Sequence, residues 1–238
     1  MGKNKLQRFA ENLTFPNLFQ VPYDVLVNQG FEWRGRWNEY FGNSNPITLE
    51  LGCGKGDYTI ALARLHPDRN FVGVDIKGAR LWRGAKTSNE EQMKNVAFLR
   101  TKIELIDRMF AANEVSEIWV TFPDPQPKKP NKRLTSQRFL DTYRRILAPD
   151  SIIHLKTDSQ ELHEYTLNEV IPQGNHCLLF HTADLYNDPY EGEAKLVQTF
   201  YEQMFLAEGK PITYLTFRLG TSEEGATPNN KINRINNN

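Results

Sequence analysis

Asp124 stands between Pro123 and Pro125 in the stretch FPDPQPKKPNKR (122–133), where four prolines and four cationic side chains surround a single carboxylate. Proline fixes its own φ and biases the preceding residue away from helix, so the segment should leave its strand extended and stiff. A carboxylate held in this way is preorganised to accept N–H hydrogen bonds from a planar base. Two further acids occupy unusual places: Glu50 lies inside the apolar run ITLEL, and Asp75 ends FVGVD. An acid within an apolar strand is costly to bury unless it meets a cation or a donor, so Glu50 calls for one. Asp75 at a strand tip can accept from ribose hydroxyls or cap a helix beginning near Lys77, and the two roles do not exclude each other.

Between these acids lies LELGCGKGDYTIALARLHP, which reads as strand, glycine-rich turn and helix, with Gly52, Gly54 and Gly56 in a GxGxG spacing. Such glycines let the backbone turn tightly and approach a ligand closely, although the same spacing also serves plain chain reversal. The turn is not the dinucleotide GxGxxG, because Asp57 follows Gly54 at the third position. It is not a phosphate-binding P-loop either, because Leu49 holds the place of the first glycine. Acids at both Glu50 and Asp75, with no arginine beside Asp75 to favour a phosphate, point to an adenosine-bearing ligand of modest negative charge. S-adenosylmethionine, with a sulfonium and an amino group for Glu50, fits better than NADP.

These groups need a scaffold. From Ile47 onward, short apolar runs (ITLEL, NFVGVDI, VAFLRT, EIWVTF, SIIHLKT, HCLLFHT, ITYLTFRL) alternate with helix-like segments. That rhythm predicts an α/β fold, a doubly wound and mostly parallel sheet of the Rossmann-like type, with one antiparallel strand near the C-terminus. In such a sheet ligands bind outside the carboxyl ends of the strands near the switch point, which puts Asp124, after the fourth strand of this series, at the rim of the crevice. The expected organisation is an N-terminal extension over 1–45 that packs by its aromatics, a catalytic domain over 46–221, and a polar, disordered tail over 222–238.

At 238 residues and 39% apolar content, the chain can bury one sizeable core. Its apolar runs are too short to span a membrane and no signal-peptide stretch is present, so a cytoplasmic protein is expected. Cys53 and Cys177 stand far apart with no CxxC partner, and the five histidines form no HxxxH or His-Cys pair, so neither a disulfide framework nor a metal site is expected. His154, His163 and His181 read as packing and surface residues. Net charge is zero, but from Lys128 to Arg145 seven bases face only Asp141, while ADLYNDPYEGEA carries four acids and no base. Such a run can be a solvated helix face, or a grip for phosphates if a site adjoins it.

Taken together, FPDPQPKKPNKRLTSQRFL, LELGCGKG and LKTDSQELHEY resemble the bacterial tRNA (guanine-N7)-methyltransferase family, over about Leu49 to Glu202. The resemblance implies a class I fold, methylation of the variable-loop guanine of tRNA, S-adenosylmethionine as cofactor and tRNA as partner, in a monomer or homodimer. It implies that Glu50, Gly52, Gly54 and Asp75 bind the cofactor and that Asp124 is the catalytic and cofactor-side acid. It further implies that Lys128, Asp158, Thr199 and Glu202 meet the substrate. Two departures from the family pattern stand out: Gln126 replaces the usual aromatic after Pro-Asp-Pro, and Thr101 and Lys102, with Glu104 slightly later, replace the acid after the third strand, leaving adenine to backbone groups. For Asp158, capping of the helix begun by TDSQEL is an equal reading. The same residues also allow methylation of rRNA or a small molecule, or a tRNA-binding module without turnover.

Overall fold

The computed structural model describes residues 3–220, so the tail expected over 222–238 lies outside the described residues. In chain order, the elements before the central glycine turn are α1 (Lys3–Asn12), β1 (Leu18–Phe19), α2 (Tyr23–Asn28), α3 (Trp37–Phe41) and β2 (Ile47–Leu51). Then come α4 (Asp57–Leu65), β3 (Asn70–Asp75), α5 (Gly78–Glu90), β4 (Val96–Arg100), β5 (Val115–Thr121), α6 (Gln137–Arg144) and β6 (Leu147–Thr157). The chain closes with α7 (Gln160–Tyr165), α8 (Ile171–Gln173), β7 (Cys177–Thr182), α9 (Glu193–Leu196), α10 (Phe200–Ala207) and β8 (Thr213–Arg218).

The strands form one sheet in the order β1-β4-β3-β2-β5-β6-β8-β7. Neighbours from β1 to β6 pair in parallel, and β8 runs antiparallel between β6 and β7. The fold expected from the alternating runs is therefore present, with β8 as the antiparallel strand. The order reverses at β2, whose neighbours are β3 on one side and β5 on the other, so the switch point lies between the glycine turn and the end of β5.

Period-two alternation divides the core. Leu49, Leu51, Val72, Val74, Ile118, Val120, Ile153 and Leu155 belong to one buried layer. Tyr58, Phe71, Phe98, Trp119 and Tyr214 belong to the other. Glu50, between Leu49 and Leu51, therefore faces the second layer, as does Lys156 after Leu155. Register places Glu50 beside Trp119 and Lys156 beside Thr121 and Tyr214, so the two charged side chains share this face.

Residues 3–45 show no period because their order comes from aromatic packing rather than one long element. Trp37 is fully buried, stacks on Phe110 at 5.0 Å, and donates Nε1 to the Met109 carbonyl at 3.0 Å. Phe19, on β1, meets Phe31, Trp37 and Tyr40 edge-on. Ahead of them α1 lies along α5, where Trp82 donates to Glu11 at 2.7 Å and Arg8 stacks over the Trp82 ring at 4.6 Å.

Candidate active site

The turn after β2 is shaped by glycine. Gly56 has φ +76° and precedes α4; a Cβ there would lie 2.6 Å from the Phe98 ring, so no other residue lets the helix approach the sheet this closely. Gly54 has φ +58°, and a Cβ on it would meet no atom within 4 Å, because it borders open space. That space consists of two adjoining hollows of about 400 and 500 Å³, which share Gly52, Arg80, Phe122, Pro123 and Asp124.

Glu50 lines the first hollow at 4% exposure, and its hydrogen-bond partners are all donors. The Thr59 amide donates to Oε2 at 2.8 Å, the Thr59 hydroxyl donates to the same oxygen, and the Thr121 hydroxyl donates to Oε1 at 2.7 Å. Burial pushes its carboxyl up to about 7, against these hydrogen bonds, which pull it down. A cation arriving in the hollow would complete the set. Asp75 lines the second hollow and is both turn-former and tether: Oδ1 accepts the Lys77 amide at 2.7 Å, and Oδ2 accepts the Gly54 amide at 2.9 Å. Thr101, Lys102, Ile103 and Glu104 close that hollow where the sequence lacks the usual acid, so Glu104 reaches the cavity although it lies later in the chain. An acid among donors, a second acid at a strand tip and a glycine-edged opening suit a cationic group joined to a ribose and a base.

Asp124 is exposed at the boundary of the two hollows. Its loop is bent by two non-glycine residues in the left-handed region, Phe122 at φ +46° and Gln126 at φ +45°. Each such conformation costs about 1–3 kcal/mol and persists only where its surroundings fix it. Here the Phe122 amide donates to the Lys156 carbonyl at 2.8 Å, and Gln126 donates twice to Asp124. The prolines thus act as a bracket with pinned ends.

Besides Asp124, the first hollow is lined by Asp158, Thr199, Tyr201 and Phe205. The capping question at Asp158 is answered by its neighbour: Ser159 is the N-cap of α7 and accepts the Leu162 amide, which leaves the Asp158 carboxylate to the cavity. Thr199 and Glu202 form a capping box on α10. Thr199 faces the hollow, but Glu202 is fully buried behind it, bonded to Tyr186 at 2.6 Å and to Lys156 at 2.5 Å. Tyr201, Phe205, Arg80 and Lys156 are members of this neighbourhood that no motif marked.

The basic loop divides by burial. Lys128, Lys129 and Lys132 are exposed; Lys132 lines the second hollow and Lys128 neither. Arg133, grouped with them as a phosphate grip, is buried at 3% exposure instead. Its Nε donates to the Pro125 carbonyl at 3.0 Å, its terminal nitrogen pairs with Glu161, and its guanidinium covers the Tyr165 ring at 4.3 Å. Among the described residues no group of His, Cys, Asp and Glu could hold a metal ion, no helix is long and apolar enough to cross a membrane, and both cysteines are free.

The sequence profile of a family described as a putative methyltransferase matches residues 44–215. A tRNA (guanine-N(7)-)-methyltransferase of Christiangramia forsetii is 53% identical over 222 residues, 92% of this chain and 99% of that protein. One of Bacteroides thetaiotaomicron is 52% identical over 220 residues, covering 92% and 87%. Among solved structures, the 16S rRNA methyltransferase KamB superposes with a TM-score of 0.61 at 15% identity, covering 79% of this chain and 94% of that one. At that identity the likeness is one of fold.

Proposed function

The chain belongs to the tRNA (guanine-N7)-methyltransferase family, and from that premise we propose that it transfers the methyl group of S-adenosylmethionine to N7 of the variable-loop guanine of tRNA. The observation that carries the reading is the meeting of Glu50, Asp124, Asp158 and Thr199 around one hollow at the switch point of the sheet. Glu50 and Asp75 hold the cofactor from its two ends, Gly52 and Gly54 let the backbone lie against it, and Asp124 reaches both cofactor and base. When bound, S-adenosylmethionine supplies an electrophilic methyl on a sulfonium.

Guanine N7 carries a lone pair and no proton, so no residue need act as a general base on it, and positioning dominates the rate. Asp124 and Asp158 accept from guanine N1–H and N2–H, a pattern that adenine cannot present at its Watson–Crick edge. As N7 gains the methyl the ring becomes positive, and the Asp124 carboxylate stabilises that charge. Thr199 bounds the base on the far side, while Lys128, with Lys129 and Lys132, meets tRNA phosphates.

Transfer of labelled methyl to tRNA transcripts with and without the variable-loop guanine tests the proposal. Label confined to the guanine-bearing transcript is expected; equal labelling of both would remove the substrate assignment. The likeness to rRNA methyltransferases, being one of fold alone, gives no reason to prefer rRNA.

A further inference from the structure

Lys156 is a lysine with no exposed surface and no place in the reaction just described, yet three walls of the first hollow meet at it. Its ammonium donates to the carbonyls of Ala194 at 2.5 Å and Val197 at 2.9 Å, and pairs with the Glu202 carboxylate at 2.5 Å. These three points span the segment that carries Thr199, so one buried cation gathers that segment and seats α10. Glu202 closes the circuit by accepting the Thr199 amide at 3.2 Å and the Tyr186 hydroxyl at 2.6 Å. The backbone of the same residue holds the second wall, because the Lys156 carbonyl accepts the amide of Phe122, from which Pro123 and Asp124 follow. The third wall, Asp158, comes two residues later on the same strand end.

We propose that Lys156 is the positioning residue of the substrate half of the site, fixing Thr199, Asp124 and Asp158 relative to one another, and that Glu202 acts through Lys156 rather than by touching the base. The proposal rests on the functional reading above. Three donors match three acceptors, so the ammonium is satisfied inside the protein and has no hydrogen left for a substrate. The cofactor side has separate supports: Glu50 is held by Thr59 and Thr121, and Asp75 by Gly54 and Lys77. Loosening Lys156 should therefore injure the handling of tRNA far more than that of the cofactor, which shares only Asp124 with the substrate half.

Removing only one charge of a buried pair strands the other, so K156M alone is expected to fold poorly. The informative protein is K156M/E202Q, which removes both charges yet leaves the Ala194 and Val197 carbonyls without their donor. Expected are a single cooperative unfolding transition with a melting temperature lowered by several degrees, because two carbonyls lose their donor, a Kd for S-adenosylmethionine within about threefold of wild type, and KM for tRNA raised with kcat lowered, kcat/KM falling about tenfold or more. A folded double variant with wild-type kcat/KM for tRNA would overturn the proposal. So would equal losses of cofactor and tRNA affinity, which would mark general loosening. Should the double variant not fold, hydrogen exchange of the wild-type protein decides: the amides of Leu196, Val197 and Thr199 should be protected nearly as well as the core strands, and exchange at loop rates would contradict the anchoring. Failure of the functional reading would appear separately, as wild-type protein that does not methylate tRNA.

Discussion

Asp124 receives both of its hydrogen bonds from one residue, Gln126: the backbone amide donates to Oδ1 at 3.1 Å and the side-chain amide to Oδ2 at 2.8 Å. The residue that follows Pro-Asp-Pro is thus the one that aims the acid. Turning at φ +45°, Gln126 brings its own side chain back over the carboxylate. Replacing it by alanine should lower kcat about three- to tenfold with Kd for S-adenosylmethionine unchanged, whereas D124N, which removes the charge, should cost about a hundredfold or more. Single-turnover rates separate the two; equal losses in both variants would mean that the charge of Asp124 does not matter.

Glu50 gives the protein a pH dependence with a definite sign. Its carboxyl lies above the ordinary value of 4.5, at about 7, because burial disfavours the charged form more than Thr59 and Thr121 restore it. A raised folded pKa stabilises the protonated form, so the contribution to stability of the ligand-free protein is complete below about pH 4.5 and is lost as pH rises through about 7. A cationic cofactor selects the ionised form, so its affinity should rise over the same interval and its binding should release protons near pH 7. Calorimetry in two buffers of different protonation enthalpy measures that release. E50Q should abolish it, and proton release persisting in E50Q would assign it to another group.

The exposed lysines and the buried arginine of one basic loop should behave differently. K128A/K132A should weaken tRNA binding and reduce the slope of log K against log salt by about one to two, as each phosphate contact is lost. An unchanged slope would place both lysines away from the RNA backbone.

Arg133 joins the Pro125 carbonyl to Glu161 and Tyr165 beneath the Asp124 loop, so R133M should leave the salt slope as in wild type. It should instead destabilise the protein by about 1–3 kcal/mol, since the part-buried Pro125 carbonyl loses its donor, and should lower kcat. Denaturant unfolding alongside the binding series checks this; a reduced salt slope would return Arg133 to the phosphates.

Much of this arrangement is legible in the sequence, for identifiable reasons. Strands β2 to β8 show because apolar runs between turn residues have few other uses, and Glu50 shows because an acid inside such a run needs a partner. Arg133 was indistinguishable from Lys132 because the letters of a basic run carry no burial. Lys156 was hidden because a lysine at the end of SIIHLKT reads as a solvated strand tip, and its partner Glu202 lies on α10, far along the chain. In TDSQEL, Thr157, Asp158 and Ser159 could each cap the helix by residue type; the hydrogen bond from the Leu162 amide to the Ser159 hydroxyl is what selects Ser159.

If Asp124 serves methyl transfer to N7 of one guanine of tRNA, both the product position and its dependence on Asp124 can be read on the RNA itself. Borohydride reduction and aniline cleavage of tRNA, after incubation with the protein and S-adenosylmethionine, break the chain at 7-methylguanine and map the product directly. Scission at a single guanine of the variable loop, lost when D124A replaces the wild-type protein, is the expected result. Labelled tRNA that is not cleaved, or that is cleaved equally after incubation with D124A, would contradict it.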